Sequence, residues 1–331
     1  MAKLQLSFAC GLYDRMLPLY RGEVRPDGID LNFIPLDGSY GARAIFDRMV
    51  GGREFDASEM SSVEFISSYL RGDCPFVAIP VFPSRIFRHS MMAINRKSGI
   101  KTPKDLEGRR VGVPIYTMTA AVTARGVLQH EYDLDLSTIQ WVQGALNVPG
   151  PHGEPTPVPL LKPVKLEDNK SNRSLGQMLV DGDIAATVGS AMPDVFRSNP
   201  DIVRLIPNYR NVERDYYKRT KIFPIMHVVA IRRDIYERYP FVASSLYNAM
   251  LKSKKLQLEK MHDTGTLFYM VPWLHSEVDE MEDLFGGDPF PYGIEGGRPS
   301  LEALVMWLHE QGVIAKRVPI EDLFVPVFES L

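Results

Sequence analysis

FPSRIFRHSMMAINR, residues 82–96, carries three arginines and one histidine through otherwise apolar surroundings. Read as an extended segment, its period-two alternation puts Arg85, Phe87, His89 and Met91 on one face. Ile86, Arg88, Ser90 and Met92 fall on the other. Arg85 and His89 then share a side, one pleat apart. That sets a planar fork for carboxylates beside a group able to move a proton near neutral pH. The plainer alternative is an edge strand whose arginine and histidine reach solvent, against which stands the rarity of unpaired charge on apolar strands.

This stretch divides two runs of similar pattern. Before it come a strand at 3–10, the loop GLYDR at 11–15, a strand at 29–35 and a helix at 42–50 ending at Gly51-Gly52. A short strand through 55–61 ends in polar residues, a helix follows at 63–70, and 75–82 completes the unit. Strands alternating with helices on short connections argue for a mostly parallel sheet covered by helices. After Gly99 the pattern restarts, with a short capped helix at 102–106, a strand at 110–114, a helix at 120–130 and a strand at 139–143. A proline-rich loop at 147–167, a helix at 175–180 and a strand at 184–188 follow. KIFPIMHVVAIRR, at 221–233, echoes the opening stretch, and helices at 240–262 and 300–311 close the chain, the second stopped by Gly312.

The expected fold is therefore α/β and two-lobed, each lobe a mixed, mostly parallel sheet flanked by helices. Lobe I takes 1–90 and 228–331, and lobe II takes 91–227. A ligand cleft is expected between them, with the two linking segments on its floor and His89 approaching His227 there.

Composition narrows the function. The chain has 331 residues, 38 Lys plus Arg against 41 Asp plus Glu, and a net charge of −3. No basic stretch marks a nucleic-acid footprint, and the apolar runs fall far short of a membrane span. MAKLQLSFACGLYD enters an alternating pattern without a long apolar signal core, so the expected location is cytoplasmic. Cys10 and Cys74 cannot make a disulfide framework or a thiolate metal cage, and read as buried small hydrophobes. GLYDR is neither GxGxxG nor a P-loop.

Several residues outside the opening stretch carry chemistry. Tyr13 and Asp14 follow the first strand, where sheet loops face a cleft. Glu59 stands at a strand end, available to a ligand or to pairing with Arg85 or Arg88. His227 sits among Met, Val and Ile, in the site or in the core. Thr117-Met118-Thr119 lies between a strand and a helix, an anion site or ordinary capping. Tyr292, in a loop rich in glycine and proline, closes over a ligand or packs that loop. His89, His227 and Glu59 would make an acceptable metal set, but they are scattered without a compact ligand motif, and no metal is expected.

FDASEMS (55–61), FPSRIFRHS (82–90), DLEGRRVGVP (105–114), FPIMH (223–227) and DPFPYG (288–293) resemble the 4,5-dihydroxyphthalate decarboxylase family, which looks like type II periplasmic solute-binding proteins adapted to catalysis. The resemblance covers nearly the whole chain, in order. It implies a carboxy-lyase of aromatic catabolism that converts 4,5-dihydroxyphthalate or a close relative to a dihydroxybenzoate and CO2 without oxidation. It also implies no cofactor, and a small aromatic carboxylate as the partner, with a homo-oligomer left open. Such chemistry asks Arg85 to hold the retained carboxylate, His89 or His227 to supply the proton, and Glu59 to accept a hydrogen bond from a ring hydroxyl. Arg88, Tyr13, Thr117, Thr119 and Tyr292 complete the expected binding set. The chain departs from the pattern at Ile115, Thr117 and Thr123, where an acidic residue, Gln and Trp are common, and at 183–186, which lacks an Asp before the final Ala. The competing readings are a solute-binding protein for an aromatic or other small carboxylate and, more weakly, an enzyme for a pyrimidine precursor.

Overall fold

The computed structural model describes residues 2–36, 41–153 and 158–329. Among these, the strands are β1 (Leu4–Cys10), β2 (Ile29–Pro35), β3 (Ala57–Ser61), β4 (Phe76–Ile79), β5 (Met92–Asn95), β6 (Arg110–Val113), β7 (Gln140–Gln143), β8 (Leu166–Asp168), β9 (Ala186–Val188), β10 (Ile202–Arg204) and β11 (His227–Arg232). They form two mixed sheets in two compact units.

The first unit comprises Met1–Arg85, Ile225–Leu301 and Val318–Leu331. Its sheet has the order β2-β1-β3-β11-β4, with β1 parallel to β2 and β3, and β11 antiparallel to β3 and β4. Strand β1 forms because LQLSFAC alternates at first and then turns wholly apolar, so its last residues, Phe8, Ala9 and Cys10, are buried from both faces. β3 is buried along its whole length, although three of its five residues are Ser58, Glu59 and Ser61. Polar groups so placed must find partners inside the fold. The register opposes His227 to Ser61 and Val229 to Glu59.

The second unit comprises Ile86–Pro224 and Glu302–Arg317, with the sheet order β10-β5-β9-β6-β7-β8. Strands β6, β7, β8 and β9 pair in parallel, and β5 runs antiparallel to β9 and β10. The segment Glu302–Arg317 groups here, whereas the sequence pattern kept it with the first lobe. Close packing is the reason. A methyl group at Gly126 would meet the Trp307 ring at 2.3 Å, so the helix Thr119–Tyr132 can seat that indole only where it has no side chain. Leu161 N also donates to Gly312 O at 2.7 Å.

The stretch 82–96 is not one strand. Pro83 has no amide hydrogen for a ladder. Arg85 makes an isolated bridge to Ile225, His89–Met91 is a short 3-10 turn, and only Met92–Asn95 is a strand. The alternation that set Arg85 and His89 on one face is broken by that turn. The unit boundary also falls between Arg85 and Ile86. The loop expected at 147–167 holds no regular element among its described residues before β8, and 154–157 lie outside them.

Candidate active site

Glu59 is the centre of the polar cluster in the first unit. It is fully buried on β3, between β1 and β11. Its Oε2 accepts from the backbone N of Gly11 at 2.9 Å, with the Cys10 thiol at 3.5 Å. Its Oε1 accepts from the Tyr13 hydroxyl at 2.7 Å and meets Nδ1 of His227 at 2.5 Å. Burial by itself would push this carboxyl up, but the charge of His227 and the donated hydrogen bonds outweigh it and hold Glu59 at about 2. Glu59 is therefore a carboxylate. The same burial and the neighbouring charge raise the Tyr13 hydroxyl and the Cys10 thiol, so both stay protonated as donors.

His227 opens β11, half-buried, with its ring edge-to-face against Phe46 at 4.9 Å. With Nδ1 taken by Glu59, Nε2 is the ring nitrogen left for a ligand. An imidazole oriented by a buried carboxylate is a common device for moving a proton at a fixed place.

A second group lies one ring away. The Arg15 guanidinium stacks over Tyr13 at 4.4 Å and Phe290 at 4.2 Å, and pairs with Asp14 at 3.0 Å. Lys254 is buried on the helix Phe241–His262. It pairs with Asp288, donates to Phe290 O at 2.8 Å, and lies 4.4 Å from the Tyr292 ring centre. Burial lowers its pKa against the pull of Asp288, and Arg85 and Arg15 push the same way. Arg85 donates to Pro291 O at 3.3 Å and Ser300 Oγ at 3.2 Å, pinning the DPFPYG loop. The Tyr292 hydroxyl is buried without a hydrogen-bond partner among the described residues.

The first unit thus brings together Tyr13, Glu59 and His227, and sets Arg85 and Tyr292 around one loop. Among the described residues the Glu59 carboxylate is taken by Gly11, Cys10, Tyr13 and His227 rather than by an arginine. The other candidates belong to the second unit. His89 is 1% exposed, with both ring nitrogens unbonded among the described residues, and its ring packs at 5.2 Å from Tyr216. Glu213 stands 3.8 Å from its Nδ1. Burial, helped by the charge of Arg219, pushes His89 down to about 4. Arg88 is buried, donates to Ser190 O at 3.0 Å, and is pushed down to about 10 by burial. Thr119 opens its helix after Met118 at the cap position, with no side-chain cap, so neither Thr117 nor Thr119 is the expected hydroxyl cap. Among the described residues no group of three His, Cys, Asp or Glu side chains is arranged to hold a metal ion.

Reading by motif missed Arg15, Lys254 and Asp288. Lys254 had a signal. The apolar spacing of Val242, Ala243, Leu246, Tyr247 and Met250 continues onto Ser253, Lys254 and Gln257, polar residues where the helix demands buried ones.

No protein-family model matches the chain. In fold it is similar to a periplasmic sulfonate-binding protein from Methylobacillus flagellatus, with a TM-score of 0.56, 11% identity, and 98% of this chain and 92% of that one covered. The two α/β units thus share the fold of that periplasmic binding protein. In sequence it is 34% identical over 327 residues to the 4,5-dihydroxyphthalate decarboxylase of Comamonas testosteroni, covering 98% of each chain. It is also 34% identical over 219 residues to that of Pseudomonas putida, covering 66% of this chain and 83% of the relative. The chain belongs to the 4,5-dihydroxyphthalate decarboxylase family.

Proposed function

We propose that His227, oriented by Glu59, is the proton donor of a carboxy-lyase that removes CO2 from 4,5-dihydroxyphthalate or a close relative. Family membership carries the reaction class, which is non-oxidative loss of CO2 from a dihydroxyphthalate-like acid. The observation that carries the site is the 2.5 Å contact between Glu59 and His227.

A ring hydroxyl para to the departing carboxylate pushes electron density toward the carbon that bears it. That carbon takes one proton, the bond to the carboxylate breaks, its electron pair returns to the ring, and CO2 leaves. One proton is consumed for each CO2 released, so the protein must deliver a proton at a fixed atom. Nε2 of His227 is the group for this, because Glu59 fixes the ring through Nδ1. Tyr13 keeps Glu59 charged and oriented. Arg85 anchors the carboxylate that is retained, through the planar fork. The departures at Ile115, Thr117 and Thr123 favour a relative of the family's namesake as the natural substrate.

Incubation with hydroxylated phthalates and benzoates, following CO2 and product, tests the reading. A dihydroxyphthalate should yield a dihydroxybenzoate, and exhaustive chelation should leave the rate unchanged, since the ring holds the electrons itself. Phthalate without hydroxyls should bind unreacted. Tight binding of every acid with turnover of none would instead mark a solute-binding protein.

A further inference from the structure

The second unit buries a cation that has no counter-charge among the described residues. Arg125 sits in the middle of the helix Thr119–Tyr132 and is 0% exposed. Its Nε donates to Gln311 Oε1 at 2.9 Å, and Gln311 in turn donates through Nε2 to Val122 O at 2.9 Å. Nη1 and Nη2 have no hydrogen-bond partner among the described residues. The guanidinium carbon lies 3.7 Å from the Tyr116 ring centre and 5.5 Å from that of Trp141. The indole N–H of Trp141 is also buried and unbonded among the described residues.

Two aromatic rings stabilise a guanidinium through its charge and its faces. They leave its edge untouched, because the N–H donors lie in the guanidinium plane. Among the described residues no carboxylate acts on Arg125: burial lowers its pKa, and the opposing influence is the Tyr116 phenol. A buried charge without an acceptor is among the most unfavourable arrangements in a core. Unbonded donors on Arg125 and Trp141, with no acid beside them among the described residues, call for an acceptor carrying negative charge.

We propose that Arg125 holds a buried small inorganic anion of the halide class, bound edge-on at Nη1 and Nη2. Tyr116 and Gln311, which hold the guanidinium, also line a cavity of about 260 Å³ whose charged walls are Asp135, Lys162, Lys165 and Glu310. Those four charges balance, so the positive charge that draws the anion is that of Arg125 itself. The ion ties the helix Thr119–Tyr132 to the segment Glu302–Arg317 through Arg125 and Gln311, and so supports the second unit independently of the reaction.

The test uses the whole protein. Crystals grown or soaked in sodium bromide should show an anomalous peak in the guanidinium plane at Nη1 and Nη2 of Arg125. In solution at constant ionic strength, replacing gluconate by chloride or bromide should raise the melting temperature along a saturating curve. Arg125→Met should remove that dependence if it folds, and the bromide peak in the unaltered protein decides the matter if it does not. Ordered water at Arg125 without anomalous signal overturns the proposal. So do a melting temperature indifferent to halide and bromide found solely on surface lysines, an adventitious ion only.

Discussion

His227 and His89 stand in related sequence settings, each a few residues beyond a phenylalanine in a stretch that leaves one unit of the fold for the other. Their surroundings differ in every respect that matters for proton transfer. His227 is half-buried, with one nitrogen on a carboxylate held at about 2 and the other left to a ligand. His89 is enclosed by aromatic rings, has no hydrogen bond among the described residues, and is pushed by burial to about 4. Its nearby acid, Glu213, is pushed up to about 7 by burial, so both groups are driven toward their neutral forms. A histidine becomes a proton donor through an oriented partner and access, not through its residue type.

The largest effect expected from this contrast is on turnover. His227→Gln keeps a polar side chain but cannot carry the proton, and kcat should fall by about a hundredfold or more. Glu59→Gln should lower kcat by a smaller factor, about ten- to a hundredfold, because the imidazole survives but loses its orienting charge. The double variant should be scarcely slower than His227→Gln alone, as for residues acting as one unit. Multiplying single effects in steady-state assays would separate the two roles and break the comparison. The Glu59 carboxylate also sets an acid limit on folding. Its pKa in the folded protein lies below its ordinary value of 4.5, so its contribution is present above that pH and is lost as pH falls toward about 2.

The paired site was partly legible in the sequence and the pairing was not. Glu59 and His227 stand out because FDASEMS and FPIMH set an acid and an imidazole in strands otherwise apolar or small. Their contact spans 168 positions, and that of Tyr13 with Glu59 spans 46. Only the sheet order β1-β3-β11 brings them together, and period-two alternation carries no information about which strands become neighbours. β1, β2 and the helix Phe241–His262 were legible because local pattern decides each: alternation closing in an apolar run in β1, alternation in β2, and the helical spacing of apolar residues in 241–262. The stretch 82–96 was misread for the opposite reason. Alternation assumes an unbroken strand, and the 3-10 turn His89–Met91 breaks it while leaving the residue pattern unchanged. Lys254 was hidden because a helix position shows its burial only when its neighbours one turn away are considered with it.

An intermediate effect is expected at Arg85, which the site shares with the DPFPYG loop. Arg85→Lys keeps the charge but loses the fork, and also gives up the bonds to Pro291 and Ser300. Loss of a charge-assisted hydrogen bond costs about 1.5–3 kcal/mol, or roughly ten- to a hundredfold. That loss should appear in substrate affinity, with kcat changed much less. Equilibrium binding of a non-reacting phthalate measures it directly. An unchanged affinity with a lowered melting temperature would leave Arg85 as a pin for the loop and no anchor.

The smallest effect on turnover belongs to His89, and there the comparison is sharpest. If burial has excluded His89 from the chemistry, His89→Gln should alter kcat by less than about twofold. Its effect should fall on stability, with a definite sign. The folded-state pKa of about 4 lies below the ordinary value of 6.5, so the unfolded chain takes up a proton on this ring before the folded one does. The neutral ring is fully favourable to folding above about 6.5, and its contribution declines as pH falls toward 4, by roughly 3 kcal/mol in all. Glu213 has the opposite slope. Its folded-state pKa of about 7 lies above the ordinary 4.5, so its contribution is greatest in acid and is lost as pH rises through that interval. The unaltered protein should therefore show a shallow pH dependence between 4.5 and 6.5, where the two slopes oppose. Glu213 is present in both proteins, so the difference between denaturant curves of the unaltered protein and His89→Gln isolates the histidine. That difference should shift in favour of the variant on acidification. A difference independent of pH would mean that His89 titrates normally in the folded protein, and with it would go the argument that assigns the proton to His227.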